Sequence, residues 1–494
     1  MKFHHLKIND LLLHVAVSYS EHPMQKIKME KFTANKWLCG AALASSFGMT
    51  VAYAADSAPG IIGKNEWLFY RYEMSDATDA AMTDTSLTLI QRFNKVLSAN
   101  GINMAVVMVP LKMRIYSEQL PDSIKVNDYM GSNYARMSKT LQAAQVNVID
   151  LNTAFLNSPK RNSDTPLFFR LDTHWTPTGA MLAAETIKAG IDANPALKKA
   201  LDATPEESFK IVLGNRKRNS KGRDLVKELS PNSLTFAPEQ IAQVTVNRAQ
   251  PPKEDLLGNR PPIGITLVGS SYSRDWTGFA DALRYALQRD ILSIGVGADQ
   301  GSWVGMESYL RDDAFLTKAP KMLIWEIPER DMRAPPDYEF RETRYVSNNT
   351  EWLLRVSALI QTSCRPSAIT AKLAPVGLAS KAANLKGGEL ATGPTNDGDF
   401  IEIGFDKPIE KLDYLVARAT AAGSKTITVE GSGPGVATRR FTLAMPGDDD
   451  AHALKAPLPS NGNGFTKVRI FPGKSNSFAL QSLQVCRQPE DLLK

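Results

Sequence analysis

Apolar runs of strand length alternate with amphipathic stretches between residues 60 and 350. The runs occupy residues 102–110, 146–151, 264–273, 290–297 and 321–329. Continuous apolar runs of this length are typical of strands that are buried on both faces of a parallel sheet. The stretches between them carry apolar residues three and four positions apart, which predicts helices. We therefore predict an α/β domain over residues 55–360, with an open, mainly parallel sheet and flanking helices.

The pattern changes after about residue 360. Short runs such as "DFIEIGF" and "KVRIFPG" are separated by turn clusters such as "TNDGD", "EGSGPG" and "PSNGNG". Short strands at regular spacing, divided by such turns, are typical of β-sandwiches and barrels. We therefore predict an all-β sandwich over residues 361–494.

The first 54 residues have the pattern of an export signal. Several lysines precede the run "WLCGAALASSFGMTVAYA", whose apolar core is too short to span a bilayer and which ends in small residues at Ala52 and Ala54. This predicts a signal peptide that is cleaved after about Ala54, with a true start at Met24 or Met29 and a periplasmic mature chain. A membrane anchor is the alternative interpretation.

Net charge argues against one class of partner, and the cysteine content predicts a disulfide. The chain carries a net charge of +6, and removal of the leader, with six Lys and three Asp/Glu, leaves +3. So mild a charge argues against nucleic acid as a partner. Outside the leader only Cys364 and Cys486 remain, and two cysteines of an exported protein are most simply paired in a disulfide. Two free buried thiols are the alternative.

Histidine is scarce, and one histidine lies in a chemically suggestive place. Outside the leader only His174 and His452 remain, and His174 follows Asp172 by two residues in "RLDTHW". In an extended segment these two side chains share a side, so the carboxylate can orient the imidazole as a base. An Asp-x-His pair is, however, more often structural. A zinc site requires more ligands than the chain offers here, so we predict no metal and no cofactor.

The run "GITLVGSSYS" offers a nucleophile. The apolar strand ends at Val268, and a glycine and three serines follow before a predicted helix. A serine at such a junction lies beyond the strand end, close to helix N–H groups that can stabilise an oxyanion. Helix capping is the alternative for at least one of these serines.

Five short motifs occur in order along the chain: "GKNEWLFYR" (63–71), "VPLKMRIYSEQLP" (109–121), "DTHWTPTGA" (172–180), "GSSYS" (269–273) and "WEIPERD" (325–331). With them the chain resembles the AlgX/AlgJ family of alginate O-acetyltransferases, which have an SGNH-hydrolase-like domain. The C-terminal part is similar to the carbohydrate-binding module of the AlgX branch. The resemblance implies that Ser271 is the nucleophile, His174 the general base and Asp172 the orienting carboxylate. The usual SGNH Gly-Asp-Ser block is missing, so no oxyanion-hole residue is assigned.

The resemblance also implies a substrate and partners. The expected reaction acetylates mannuronate residues of alginate (polymannuronate) through an acetyl-serine intermediate, with an acetyl donor that the sequence does not identify. Other alginate-secretion proteins are the expected partners. Two further functions remain open at this point. One is a polysaccharide acetylesterase, which uses the same triad with water as the acceptor, and the other is a noncatalytic alginate-binding scaffold.

Substrate-binding residues are predicted in two places. At the catalytic cleft, Trp175 can form a wall or belong to the core, and Tyr272 follows the predicted nucleophile. In the all-β part, basic residues on predicted strands can bind uronate carboxylates, because alternate strand residues share a face and arginine contacts a carboxylate with two hydrogen bonds. A solvated face is the alternative. These basic residues are Lys425, Arg439, Arg440, Lys467 and Arg469.

Overall fold

The structure is a computed structural model that describes residues 58–230, 235–251, 262–380, 389–458 and 464–494. The predicted leader, residues 1–54, lies outside the described residues. Within these ranges no helix is both long and apolar enough to cross a membrane.

Strands and helices alternate in the first part of the chain. The strands are β1 (Gly60–Ile62), β2 (Leu68–Tyr70), β3 (Asn103–Val109), β4 (Asn147–Ile149), β5 (Phe209–Asn219), β6 (Gln240–Arg248), β7 (Ile265–Gly269), β8 (Leu292–Gly295) and β9 (Met322–Pro328). The helices are α1 (Ala80–Ala99), α2 (Lys112–Ile115), α3 (Asp128–Ala143), α4 (Leu151–Asn157), α5 (Pro177–Ala193), α6 (Pro195–Asp202), α7 (Asp224–Lys227), α8 (Phe279–Leu287), α9 (Gly301–Arg311), α10 (Asp313–Thr317) and α11 (Asn349–Ile360).

A five-stranded parallel sheet with the order β4-β3-β9-β7-β8 is central to this part. Its three central strands, β3, β9 and β7, are buried on both faces, as the continuous apolar runs predict, whereas the edge strands β4 and β8 are only partly buried. In β3, Ala105 and Val107 face a core that includes residues of α5 and α8. Met104 and Val106 face a second core that includes residues of α1, α3, α9 and α11. The predicted parallel sheet with helices on both faces is therefore confirmed.

The second part of the chain contains two antiparallel sheets. Its strands are β10 (Ala371–Gly377), β11 (Leu390–Thr392), β12 (Ile401–Phe405), β13 (Asp413–Ala422), β14 (Thr426–Gly433), β15 (Val436–Ala444), β16 (His452–Pro457), β17 (Lys467–Phe471) and β18 (Ser477–Arg487). One sheet has the order β10-β12-β17-β14-β15 and the other β11-β18-β13-β16. Apolar residues of both sheets share one core, which confirms the predicted all-β sandwich.

A disulfide joins the end of the helical region to the sandwich. Cys364 follows α11, Cys486 lies in β18, and their Cα atoms are 5.2 Å apart. The predicted pairing is thus present. Because the bridged residues are 122 positions apart in sequence, the bond restricts the unfolded chain strongly and stabilises the fold by a few kcal/mol.

Candidate active site

Asp172 and His174 lie in a tight hairpin in front of α5. Phe168 and Trp175 form an isolated antiparallel bridge at its base. The Thr176 side chain accepts hydrogen bonds from the first N–H groups of α5 and so fixes the start of the helix. A Cβ atom on Gly179 would lie 2.1 Å from the Leu167 carbonyl oxygen, so only glycine allows the helix to approach the hairpin this closely. Residues of the "DTHWTPTGA" motif therefore fix the position of the hairpin that carries the histidine.

Ser271, His174 and Asp172 form one hydrogen-bonded chain. Nδ1 of His174 donates to Oδ1 of Asp172 at 2.6 Å. In that tautomer the Ser271 hydroxyl donates to Nε2 of His174 at 2.8 Å. Asp172 and His174 are only 2% and 6% exposed, whereas Ser271 is partly exposed at the carboxyl end of β7. This arrangement allows the imidazole to accept the serine proton while the carboxylate stabilises the imidazolium ion.

The surroundings of Asp172 keep it ionised. Burial by itself raises the pKa of this carboxyl. The hydrogen bond and the charge of His174 act in the opposite direction, as do the backbone N–H groups of Asp224 (2.8 Å) and His174 (2.9 Å). The net result is a pKa below the usual aspartate value, as a carboxylate that must stabilise an imidazolium requires.

A second carboxylate, Asp224, approaches the same imidazole nitrogen. Its Oδ2 lies 3.5 Å from Nδ1 of His174, and Thr173 holds it through its backbone N–H at 2.8 Å and its hydroxyl. Burial and then the charge of Asp172 raise the pKa of Asp224. Ligand atoms of Asp172, His174 and Asp224 lie within 4.8 Å of one another. A metal ion bound through Nδ1 would replace the hydrogen bond to Asp172.

The side chains of the three serines of "GSSYS" point to different partners. The Ser270 N–H donates to Oε2 of Glu326 in β9 at 2.8 Å, and the Ser270 and Ser273 hydroxyls donate to the same carboxylate at 3.0 and 2.9 Å. A Cβ atom on Gly269 would lie 2.4 Å from that carboxylate. Ser270 also accepts the N–H of Tyr272 as a helix cap, so capping explains this serine. Ser271 alone among the three is directed at His174.

The carboxyl of Glu326 should make stability depend on pH. Burial raises its pKa from 4.5 to about 7, although the bonds from Ser270 and Ser273 act in the opposite direction. Its stability contribution is therefore complete below pH 4.5 and is lost as the pH rises through 7. From pH 5 to pH 8 we expect the wild type to lose about 2 to 3 kcal/mol relative to Glu326→Gln, measured as the free energy of unfolding in urea.

The matched control for this prediction is Glu339→Gln. Glu339 is exposed, so its carboxylate is in water before and after unfolding and its replacement should not change the pH dependence. If Glu326→Gln and the wild type lose stability in parallel from pH 5 to pH 8, Glu326 is already ionised at pH 5.

Lys112 connects three of the five motifs, those at 63–71, 109–121 and 172–180, next to the candidate site. Its buried ammonium group donates to the carbonyl oxygens of Leu68 (2.6 Å), Arg170 (3.1 Å) and Asp172 (2.9 Å). Burial lowers its pKa to about 8. Because these bonds fix the backbone on both sides of Leu171, they also fix the position of Asp172. The sequence motifs are thus neighbours in space around the hydrogen-bonded chain.

The structure places the two predicted cleft residues in the interior. Trp175 is 0% exposed and packs against Tyr272 and Phe279, with ring centroids 5.0 and 4.6 Å away. Tyr272 is 1% exposed and its hydroxyl donates to the Thr173 carbonyl at 2.5 Å. This corrects the prediction that Trp175 and Tyr272 contact the substrate, because neither ring reaches solvent. Trp175 is a core residue, which was the alternative interpretation.

Trp276 is the exposed aromatic side chain beside the histidine. Its ring centroid lies 4.8 Å from that of His174 at an interplanar angle of 74°, and 47% of the residue is exposed. Sequence reasoning missed it, although it follows Ser271 by only five residues.

Comparison with known proteins agrees with this architecture. The family model described as "SGNH hydrolase-like domain, acetyltransferase AlgX" matches residues 61–329. The chain belongs to this AlgX family. The predicted family and the predicted acyltransferase class are therefore confirmed.

Individual relatives of the AlgX family extend the match. The probable alginate O-acetylase AlgJ of Azotobacter vinelandii is 28% identical over 358 residues, which cover 70% of this chain and 84% of that protein. The alginate biosynthesis protein AlgX of Pseudomonas putida is 24% identical over 447 residues, which cover 87% of this chain and 88% of that protein. The solved structure of Pseudomonas aeruginosa AlgX is 17% identical, with a TM-score of 0.55 and coverage of 87% of this chain and 94% of that chain. At such an identity the solved structure shows a shared fold.

A cavity of about 350 Å³ lies next to the hairpin of this AlgX-family chain. Its lining includes Trp67, Tyr116, Arg161, Arg170 and Glu239. Both arginines are already paired with carboxylates, Arg161 with one from the "VPLKMRIYSEQLP" motif and Arg170 with one from "GKNEWLFYR". The lining does not include Ser271, His174 or Asp172, so this cavity is separate from the candidate active site.

The outer face of the five-stranded sheet of the sandwich carries three of the predicted basic residues, Arg440, Lys467 and Arg469. Cross-strand neighbours form a row of alternating charge, with Glu402 opposite Arg469, Arg469 opposite Glu430, and Glu430 opposite Arg440. Arg469 pairs with Glu402 at 2.7 Å and Arg440 with Glu430 at 3.4 Å, and Lys467 approaches Glu402 at 3.5 Å. The face is therefore nearly balanced in charge.

Lys425 and Arg439 do not belong to this face. Arg439 pairs with Glu351 of α11 at 2.8 Å, because it lies on the opposite side of β15 from its neighbour Arg440. Lys425 precedes β14 and donates to the Pro446 carbonyl. The prediction that all five basic residues share one face is wrong for these two.

Proposed function

We propose that this chain is a periplasmic O-acetyltransferase that acetylates mannuronate residues of alginate through Ser271, His174 and Asp172. The observation that carries the proposal is the Ser271 hydroxyl 2.8 Å from Nε2 of an imidazole whose other nitrogen is 2.6 Å from a buried carboxylate. The family's acetyltransferase description and the names of the AlgJ and AlgX relatives support the reaction and the substrate.

The first half-reaction transfers the acetyl group to the enzyme. As the oxygen of Ser271 attacks the acetyl carbonyl carbon, His174 takes the hydroxyl proton on Nε2. Asp172 stabilises the imidazolium ion that forms. The bond between the acetyl group and the donor then breaks, and His174 returns the proton to the leaving group. The products are acetyl-serine and the free donor alcohol or thiol.

The second half-reaction transfers the acetyl group to the sugar. A hydroxyl at C2 or C3 of a mannuronate residue gives its proton to His174, and its oxygen attacks the acetyl-serine carbonyl. The bond to Ser271 breaks, and the serine regains a proton from His174. Water in place of the sugar hydroxyl gives hydrolysis by the same steps, so the exclusion of water determines the balance between transferase and esterase.

One assay separates the three candidate functions. The purified protein is incubated with a chromogenic aryl acetate and mannuronate oligomers, and the oligomers are analysed by mass spectrometry. Oligomers that gain acetyl groups support the transferase. Release of the chromophore and of acetate without a change in the oligomers supports an esterase. No turnover of the ester, together with retention of the oligomers by the protein, supports a noncatalytic scaffold.

We further propose that the outer face of the sandwich binds the polymer. Arg469 lies over the Phe400 ring at 4.7 Å and Arg440 over the Phe471 ring at 4.9 Å. A guanidinium group held on an aromatic ring presents its N–H groups in a fixed plane, which suits a uronate carboxylate. The neighbouring rings offer apolar surface to a sugar.

The double change Arg440→Ala with Arg469→Ala should weaken binding of long mannuronate chains about tenfold, measured as retardation in polymer-containing gels. Rising salt should weaken wild-type binding, because exposed charges are screened over about 8 to 10 Å at physiological ionic strength. Arg418→Ala, an exposed arginine of the other sheet, is the matched control and should bind as the wild type does. Equal retardation of all three proteins would mean that the paired arginines only form a solvated face.

A further inference from the structure

A short exposed segment, residues 274–276, begins three positions after the nucleophile. Tyr272 and Ser273 point into the protein, and the chain then reaches the surface over residues 274–276. The Arg274 N–H donates to the Ser271 carbonyl at 3.3 Å, so this surface segment is tied to the residue beside which a substrate must bind. Arg274 and Trp276 are its two large side chains.

Arg274 differs from the other arginines around the site. Arg114, Arg161, Arg170 and Arg330 are paired with carboxylates, and Arg223 donates to the Phe236 carbonyl oxygen. Among the described residues, the side chain of Arg274 has neither an ion pair nor a hydrogen-bond partner. Two carboxylates are near it without forming an ion pair: Asp275 is the next residue, and Asp299 lies on the same side of Gly297 as the guanidinium group.

The position of Arg274 suits a ligand at the sheet edge. Gly297 follows the carboxyl end of β8, and β8 pairs with β7, whose carboxyl end leads to Ser271. Ligands of open parallel sheets bind outside the carboxyl ends of the strands. The guanidinium of Arg274 is therefore an unused pair of N–H donors at the edge where a substrate binds.

Trp276 supplies apolar surface at the same edge. It contacts the His174 ring nearly at a right angle, and almost half of its surface stays open to solvent. The negative face of an aromatic ring attracts groups that carry partial positive charge, such as the axial C–H groups of a pyranose. A sugar on this ring would lie beside the imidazole that must take its hydroxyl proton.

We propose that Arg274 and Trp276 form the acceptor subsite, which binds one pyranose ring that carries a carboxylate. Trp276 contacts the sugar ring, and Arg274 binds the carboxylate with two N–H groups. The subsite rests on the proposed acetyl transfer and adds the basis of its specificity: a uronate is selected over a neutral sugar at the reacting residue itself. The face of the sandwich, by contrast, binds the chain elsewhere.

The test compares two acceptors of equal length, a mannuronate oligomer and its carboxyl-reduced mannose counterpart, with a chromogenic aryl acetate as donor. Arg274→Ala should raise KM for the uronate acceptor about 10- to 100-fold and change KM for the neutral acceptor little, since a hydrogen-bonded charge contributes about 1.5 to 3 kcal/mol. Arg274→Lys should recover part of the loss. Trp276→Ala should raise KM for both acceptors, and Trp276→Phe should recover part of that loss.

Arg365→Ala, at an exposed arginine beside the disulfide, is the matched control and should keep both KM values. Calorimetry with the same two oligomers and inactive Ser271→Ala protein measures the subsite without chemistry, with Arg274→Ala added as a second change. Equal affinity for the uronate oligomer with and without Arg274 would overturn the subsite and leave the acetyl transfer intact. Turnover of the ester without transfer to either oligomer would overturn the proposed function, and the subsite with it.

Discussion

Replacement of Ser271 by alanine is expected to reduce acetyl transfer by roughly 10⁴-fold or more, with no change in the fold. The missing hydroxyl removes the covalent step. It does not remove a buried contact, because Ser271 is partly exposed and its hydroxyl bonds only to His174 among the described residues. Transfer to mannuronate oligomers and release of chromophore from an aryl acetate measure the loss, and thermal unfolding measures the fold.

The neighbouring serines are the matched controls. Ser270→Ala and Ser273→Ala each remove a donor to Glu326, so both variants should be less stable yet keep much of the activity. The assignment of Ser271 as the nucleophile is wrong if one of these two variants is inactive at wild-type stability while Ser271→Ala is active.

His174→Ala is expected to reduce activity as much as Ser271→Ala does, because removal of one member of a catalytic unit disables the whole unit. The double change Ser271→Ala with His174→Ala should then be no worse than either single change. Asp172→Ala should leave more activity, since the base itself remains although the carboxylate that orients it and stabilises its charged form is lost. The measurement is the kcat for ester turnover and for transfer.

Asp224→Asn serves as the matched control for Asp172. Asp224 is the second carboxylate near Nδ1 of His174, at 3.5 Å rather than 2.6 Å. Its replacement should cost less activity than replacement of Asp172. A larger loss for Asp224 would mean that Asp224, and not Asp172, orients the histidine.

The centre of the parallel sheet could be predicted from the sequence because its strands there are buried on both faces. The apolar run at 102–110 became β3 at Asn103–Val109, and the run at 321–329 became β9 at Met322–Pro328. A strand that packs on helices from both sides has no polar face to obscure its bounds. The other three runs also became strands of this sheet, but with less exact bounds. The run at 264–273 ends as a strand at Gly269 because it continues into the serine turn, and the edge strands β4 and β8 are short and only partly buried.

Strands with one exposed face or a bulge were harder to predict. In β18 the buried residues Phe478 and Leu480 are followed by the buried Val485, five positions on, so the alternation changes phase. The cause is a register shift opposite Arg418 and Ala419. The basic run 216–223 begins inside β5, a strand of a two-stranded ribbon, although its composition is that of a loop. Such a ribbon shows little alternation, since neither face is fully buried.

The Ser, His and Asp of the candidate site could be proposed from motifs, whereas their surroundings could not. Glu326 meets Ser270 across 56 residues, and Asp224 meets Asp172 across 52. No short-range pattern encodes contacts of that separation. The single carboxylate within the buried strand β9 was a usable signal for Glu326, because an unpaired acid is rare in a core. Trp276 was passed over in favour of Trp175, whose neighbour in sequence is the histidine but whose ring faces the core.

The ammonium group of Lys112 has a consequence for when activity can first appear. Its three acceptors belong to residues that are 44, 58 and 60 positions away along the chain. Local helix and strand formation cannot bring such distant carbonyl groups together, since closing long loops costs entropy that only tertiary packing recovers. A chain without these contacts still has its serine and histidine but lacks the frame that aligns them. Acylation of Ser271 by a reactive ester would therefore report the completion of tertiary structure, and an immature chain would be protected from wasteful hydrolysis of its donor.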